Sequence, residues 1–140
     1  MKKTIILFSI IFLSISCADK KEIFELYSPE AFAFSVDEGW ELNASCRVKG
    51  FVQKEIDNQY SAKLSYSVDL VNTEGKVIQN VDEGFVDKKV DEKISDLPIN
   101  VQIQIDSSYP PGLYQIIIYV RDDFGNLSSS IQRPFELESE

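Results

Sequence analysis

Apolar and polar residues alternate with a period of two along most of this chain. Leu42, Ala44, Cys46 and Val48 fall on one face of a segment whose other face carries Asn43, Ser45, Arg47 and Lys49, the pattern of a half-buried strand. Ala62, Leu64, Tyr66, Val68 and Leu70 repeat it against Lys63, Ser65, Ser67 and Asp69, and Ile99, Val101, Ile103 and Ile105 against Asn100, Gln102 and Gln104. Asn72-Thr73-Glu74-Gly75 predicts a hairpin turn, with Lys76 to Ile78 returning. The charge-dense segment that follows predicts only a short edge strand over Phe85 to Val90.

The strongest strand signal is Tyr109 to Asn126, YPPGLYQIIIYVRDDFGN. A Pro-Pro-Gly turn launches a β-branched and aromatic run, and Asp-Asp-Phe-Gly-Asn stops it. A last strand follows, with Ile131, Phe135 and Leu137 on one face. Near the start, Ile23 to Val36 holds two alternating pieces broken by Ser28-Pro29, which predicts a kinked edge strand. Trp40 is expected to cover one end of the core.

The N-terminus has another character. Lys2 and Lys3 precede an apolar run from Ile5 to Leu13 and a small-residue exit, Ser14-Ile15-Ser16-Cys17, the plan of a secretory signal. That run falls short of the ~20 residues that span a bilayer. The placement of Cys17 resembles the lipobox of bacterial lipoproteins, in which the chain is cut before a cysteine that then carries lipid. Ser16 fits this pattern and Ser14 departs from it, since leucine is usual there. The resemblance implies a signal peptide over 1–16, a lipidated cysteine and charged tether over 17–22, and one β-domain over 23–138.

Composition narrows the chemistry. The 140 residues are 44% hydrophobic and 26% charged, with net charge −9 and no histidine. One domain with a sizeable core fits that length. The acidic balance argues against nucleic acid, and the missing imidazole removes Ser/His/Asp and Cys/His catalysis. No catalytic residue and no cofactor are expected. With Cys17 modified, Cys46 has no intramolecular disulfide partner, so the fold stands on its core. Its alternation places Cys46 inside, as a small apolar residue.

PPGLYQIIIYVRDDFGN resembles the penultimate strand of bacterial immunoglobulin-like and fibronectin-type-III-like domains. Tyr114 stands at the tyrosine-corner position, whose hydroxyl ties the preceding loop to the strand. The resemblance implies an all-β fold, an immunoglobulin-like antiparallel β-sandwich of about seven strands. Ile116 stands where antibody-type domains have their second cysteine, so aliphatic packing is expected to hold the sheets.

Two groups remain as weak binding candidates. Asp122, Asp123 and Asn126, with Asp106 or Asp82-Glu83, offer oxygens for calcium but lack the spacing of an EF-hand loop. Trp40, Tyr60, Tyr109, Tyr119 and Phe124 are aromatics outside the alternating set, and core capping is the simpler reading of them. The leading expectation is a non-enzymatic envelope lipoprotein, held by Cys17 on the outer membrane in preference to the inner. It would act as a binding or assembly module for a protein partner in the envelope or outside the cell. The alternatives are a carbohydrate- or calcium-binding accessory domain and a hydrolase inhibitor of sandwich fold.

Overall fold

A computed structural model describes residues 22–139. The expectations placed on the signal and on Cys17 lie outside these residues. Eight strands follow in order: β1 (Glu25–Val36), β2 (Gly39–Lys49), β3 (Lys54–Ile56), β4 (Gln59–Val71), β5 (Val77–Val90), β6 (Asp96–Ile105), β7 (Gly112–Asp122) and β8 (Leu127–Leu137). All pairings are antiparallel. One sheet has the order β1-β2-β6. In the other, β4 pairs with β3, β5 and β7, and β7 pairs with β8. The expected all-β sandwich is the fold observed.

The core lies between the two sheets. The three-stranded sheet supplies Leu42, Cys46 and Val48 from β2 and Ile99 and Val101 from β6. The five-stranded sheet supplies Leu64, Val68 and Leu70 from β4, Ile116, Ile118 and Val120 from β7, and Phe135 and Leu137 from β8. These are the inward positions of each alternation. Trp40 closes one end, buried, with its indole N–H donating to the Glu138 carbonyl at 3.0 Å. The Tyr114 hydroxyl donates to the Pro110 carbonyl at 2.8 Å, fastening the loop before β7 as a tyrosine corner does.

The chain departs from the sequence pattern in two strands. β3, only three residues long, brings the count to eight, and nothing in Lys54-Glu55-Ile56 alternates enough to announce it. The return to Ile78 and the segment from Phe85 are one continuous 14-residue strand, β5. A bulge joins them: Leu70 faces Ile78 but Val68 faces Asp82, and the Asn80 N–H donates to the Asp69 carboxylate at 2.8 Å. Gly84 is fixed by a close approach, because any Cβ there would lie 2.5 Å from the Tyr66 hydroxyl oxygen. As an edge strand, β5 is largely exposed along its length, which explains its dense charge.

Candidate functional site

The outer face of the three-stranded sheet is set by a bulge. In β1, Tyr27 lies opposite Arg47, but Glu30 lies opposite Ser45, so one extra residue enters at Ser28-Pro29, where Ser28 has φ 52°. Side chains on a strand alternate sides, so one added residue inverts their phase. Before the bulge the even residue Leu26 points inward; after it the odd residues Ala31 and Ala33 do. Phe32 and Phe34 therefore point to solvent, 58% and 45% exposed, where an unbroken phase would have sent them into the core.

Their rings stack along β1 with centroids 6.5 Å apart and planes 27° from parallel. Register sets a row of polar side chains beside each. Phe34 lies across from Glu41 and then Gln104, Phe32 from Asn43 and Gln102, and Glu30 from Ser45 and Asn100. Between Phe32 and the amides of Asn43, Asn100 and Gln102 is a shallow depression of about 400 Å³. Each amide carries two N–H donors and a carbonyl acceptor, of which one Asn43 N–H already donates to the Glu41 carboxylate at 3.2 Å. Glu30 and Glu41 are the only charges in these three rows, and both are acidic.

Cations begin farther down the same face and are already paired. Arg47 bonds Asp96, which also accepts the Tyr27 hydroxyl, and Lys49 pairs with Glu25 at 3.2 Å. The Arg47 guanidinium first, and the Tyr27 hydroxyl second, hold the Asp96 carboxyl at about 2. The face thus presents two rings, amides and hydroxyls, with no free cation in the three upper rows.

The residues singled out in the sequence lie elsewhere. Asp122 is fully buried; it accepts the Val52 N–H at 2.8 Å and the Phe124 N–H at 3.2 Å. Asp123 accepts the Ser65 hydroxyl and lies 3.7 Å from Arg121, and Asn126 accepts from Arg121 at 2.8 Å. Their oxygens serve different protein partners, and among the described residues no three acidic or cysteine side chains gather to hold an ion. Asp106 accepts from Ser108 in the β6–β7 loop, at the other end of β7. Cys46 is buried in the core, and burial pushes its thiol up to about 11.

Of the aromatic candidates, Trp40 is core and Tyr109 packs against Tyr114. Phe124 sits under Lys54, whose ammonium lies 4.3 Å from the ring centroid, and Tyr60 faces Lys93 at 5.8 Å. Only Tyr119 is exposed, on the five-stranded sheet. Phe32 and Phe34 were hidden in the sequence because Ala31-Phe32-Ala33-Phe34 is apolar in both phases. The signal was Ser28-Pro29 itself, read as a phase change.

The sequence matches no protein-family model and no curated protein. The fold has a structural neighbour in a family 123 glycoside hydrolase from Clostridium perfringens, described for glycolipid glycan hydrolysis. The TM-score is 0.51 with 17% identity, over 78% of this chain and 22% of the enzyme. At that identity the likeness is one of fold, and this chain spans about a fifth of the enzyme it matches.

Proposed function

We propose that this chain is a lipid-anchored envelope protein, tethered through Cys17, whose sandwich is a non-enzymatic module for binding neutral glycans on its three-stranded face. The observation that carries the reading is the Phe32/Phe34 pair, exposed and stacked beside Asn43, Asn100, Gln102 and Gln104. Sugar rings present C–H faces to aromatic rings and hydroxyls to amides. An aromatic face carries partial negative charge that attracts the polarised C–H groups. Glu30 and Glu41 would repel a sialylated or phosphorylated chain, which selects for neutral sugars.

Other features support the wider reading. The sheets β1-β2-β6 and β5-β4-β7-β8, with a tyrosine corner on the penultimate strand, suit an immunoglobulin-like or fibronectin-type-III-like domain. Such domains serve as binding modules on larger assemblies. The Clostridium enzyme that shares the fold acts on glycolipid glycans, which favours the carbohydrate alternative over the calcium and inhibitor ones. The chain holds no histidine, and its core thiol is poorly ionised at neutral pH.

The test is a screen of the folded chain from Cys17 onward on immobilised neutral and acidic glycans, beside Phe32→Ala and Phe34→Ala. Binding to neutral glycans that both substitutions abolish supports the reading. Binding that both variants retain removes the face from it, and no glycan binding removes the glycan.

A further inference from the structure

Unpaired strand edges invite other chains, and this fold blunts most of its own. β1 is kinked by the Ser28-Pro29 bulge and packs against β8, which carries Pro134. β5 is studded with Asp82, Glu83, Asp87, Lys88 and Lys89, and β3 is three residues long. The exception is β6. It borders the three-stranded sheet with β2 on one side and, among the described residues, no strand on the other. Its register against β2 is unbroken from Asp96 to Ile105, and no charge stands between Asp96 and Asp106.

Alternate residues of an antiparallel strand turn their N–H and C=O to opposite sides. The two-residue turn Asp37-Glu38 makes Val36 and Gly39 a hydrogen-bonded pair. In phase with that pair, β2 bonds β1 through Glu41, Asn43 and Ser45, and β6 through Leu42, Ala44 and Cys46. Ile99, Val101 and Ile103 are thereby spent on β2, while Asn100, Gln102 and Gln104 turn their backbone groups to the open side. Pro98 has the same parity, and its missing N–H falls on that open side, where a strand tolerates proline. The side chains of Asn100, Gln102 and Gln104 are exposed as well.

We infer that β6 pairs with β6 of a second copy of this chain, antiparallel about a two-fold axis at Gln102, joining two three-stranded sheets into one. With Gln102 opposite its own counterpart, Asn100 lies opposite Gln104 and Val101 opposite Ile103, so amides meet amides and apolar residues meet apolar ones. The backbone groups of Asn100, Gln102 and Gln104 bond across each facing pair. The ends of the strand select this register. A shift of two residues toward the start of β6 would set Asp96 against Asp106 of the other copy and draw Pro98 into the bonded stretch. The occupant follows from charge. With a net charge of −9 the chain repels its own copies, and at this edge two copies meet without facing like charges. Because Phe32, Asn43 and Gln102 share one row, the axis makes that row continuous across both copies. At a strand spacing of about 4.8 Å, the two Phe32 rings stand about 24 Å apart at its ends. On the glycan reading above, which the pairing itself does not require, this gives two sites on one face.

Sedimentation equilibrium of the chain from Cys17 onward, kept reduced so that Cys17 cannot cross-link copies, reads the pairing over a concentration series. The chain should approach dimer mass and go no further. Gln102→Lys and Gln102→Glu each set like charges face to face at the axis and should weaken pairing about fivefold. An equimolar mixture of the two variants sets opposite charges there and should restore it. Both substitutions fall on an exposed position, and unchanged urea midpoints show that neither acts through the fold. Hydrogen exchange at the Asn100, Gln102 and Gln104 amides should slow as concentration rises, while Ile99 and Val101 keep their rates. A chain still monomeric at about 1 mM overturns the pairing. Dimers that both variants leave intact, or a mixture that associates no more tightly than either variant alone, overturn the axis at Gln102.

Discussion

Asp122→Ala removes a carboxylate that is entirely out of water and that two backbone N–H groups address, Val52 at 2.8 Å and Phe124 at 3.2 Å. Hydrogen bonds to a charged acceptor contribute about 1.5–3 kcal/mol each, and a buried donor left without a partner costs about 1–3 kcal/mol. Both donors are only partly buried, so water recovers some of the loss, and the net cost is about 3 kcal/mol. For a domain of this size that lowers the Tm by about 12 °C. Asn at this position keeps one acceptor and turns an amide N–H toward the other donor, so Asp122→Asn falls between. Urea unfolding should show a lower midpoint at unchanged m-value. Hydrogen exchange should quicken at the Val52 and Phe124 amides, because the pin between the loop and the turn is gone. Calcium should change neither result. A loss below about 1 kcal/mol, a value typical of surface positions, would refute the pin, as would a calcium-dependent rise in Tm that Asp122→Ala abolishes.

Phe32→Ala and Phe34→Ala should each leave stability within about 0.5 kcal/mol, since both rings face solvent, while glycan affinity falls at least about tenfold, or 1.4 kcal/mol; urea unfolding and calorimetric titration read the two effects. Tyr114→Phe removes the bond to Pro110 and should cost about 1–2 kcal/mol in urea unfolding. Asp96 is held at about 2 against an ordinary 3.8, so folding favours its charged form. That contribution is complete above about pH 4 and fades as pH falls toward 2; Asp96→Asn should flatten this limb of a stability-versus-pH curve. Cys46, pushed up to about 11 by burial, should resist alkylation in the native state and react at the rate of global unfolding, measured by mass spectrometry across a urea series.

The strands that face water on one side were legible because their alternation is clean. β2, β4 and β6 each carry a face of apolar side chains opposite one of Ser, Asn, Gln or Lys, and register only had to match those faces; β7 was legible instead as a β-branched and aromatic run held between two turns. Tyr114 was legible because its bond is local, four residues back to Pro110. Cys46 followed from its place among Leu42, Ala44 and Val48. β5 was broken in the sequence reading because an edge strand buries little on either face, so its pattern carries little information. The Phe32/Phe34 face proposed for binding was missed for a sharper reason. In Ala31 to Phe34 both phases are apolar, and which one points inward depends on a one-residue bulge whose effect shows only against β2. The same holds at Asp122, whose partner Val52 lies 70 residues away and gives no local sign of the contact.

The most direct test of the account is a heteronuclear NMR titration of the folded chain with neutral oligosaccharides selected by the glycan screen. The prediction is that the side-chain amide signals of Asn43, Asn100 and Gln102 and the ring protons of Phe32 and Phe34 shift together, with one dissociation constant. The five-stranded face around Tyr119 should stay still. Shifts centred on Tyr119 or on the β7–β8 turn, or a Phe32→Ala chain that binds with unchanged affinity, would contradict it.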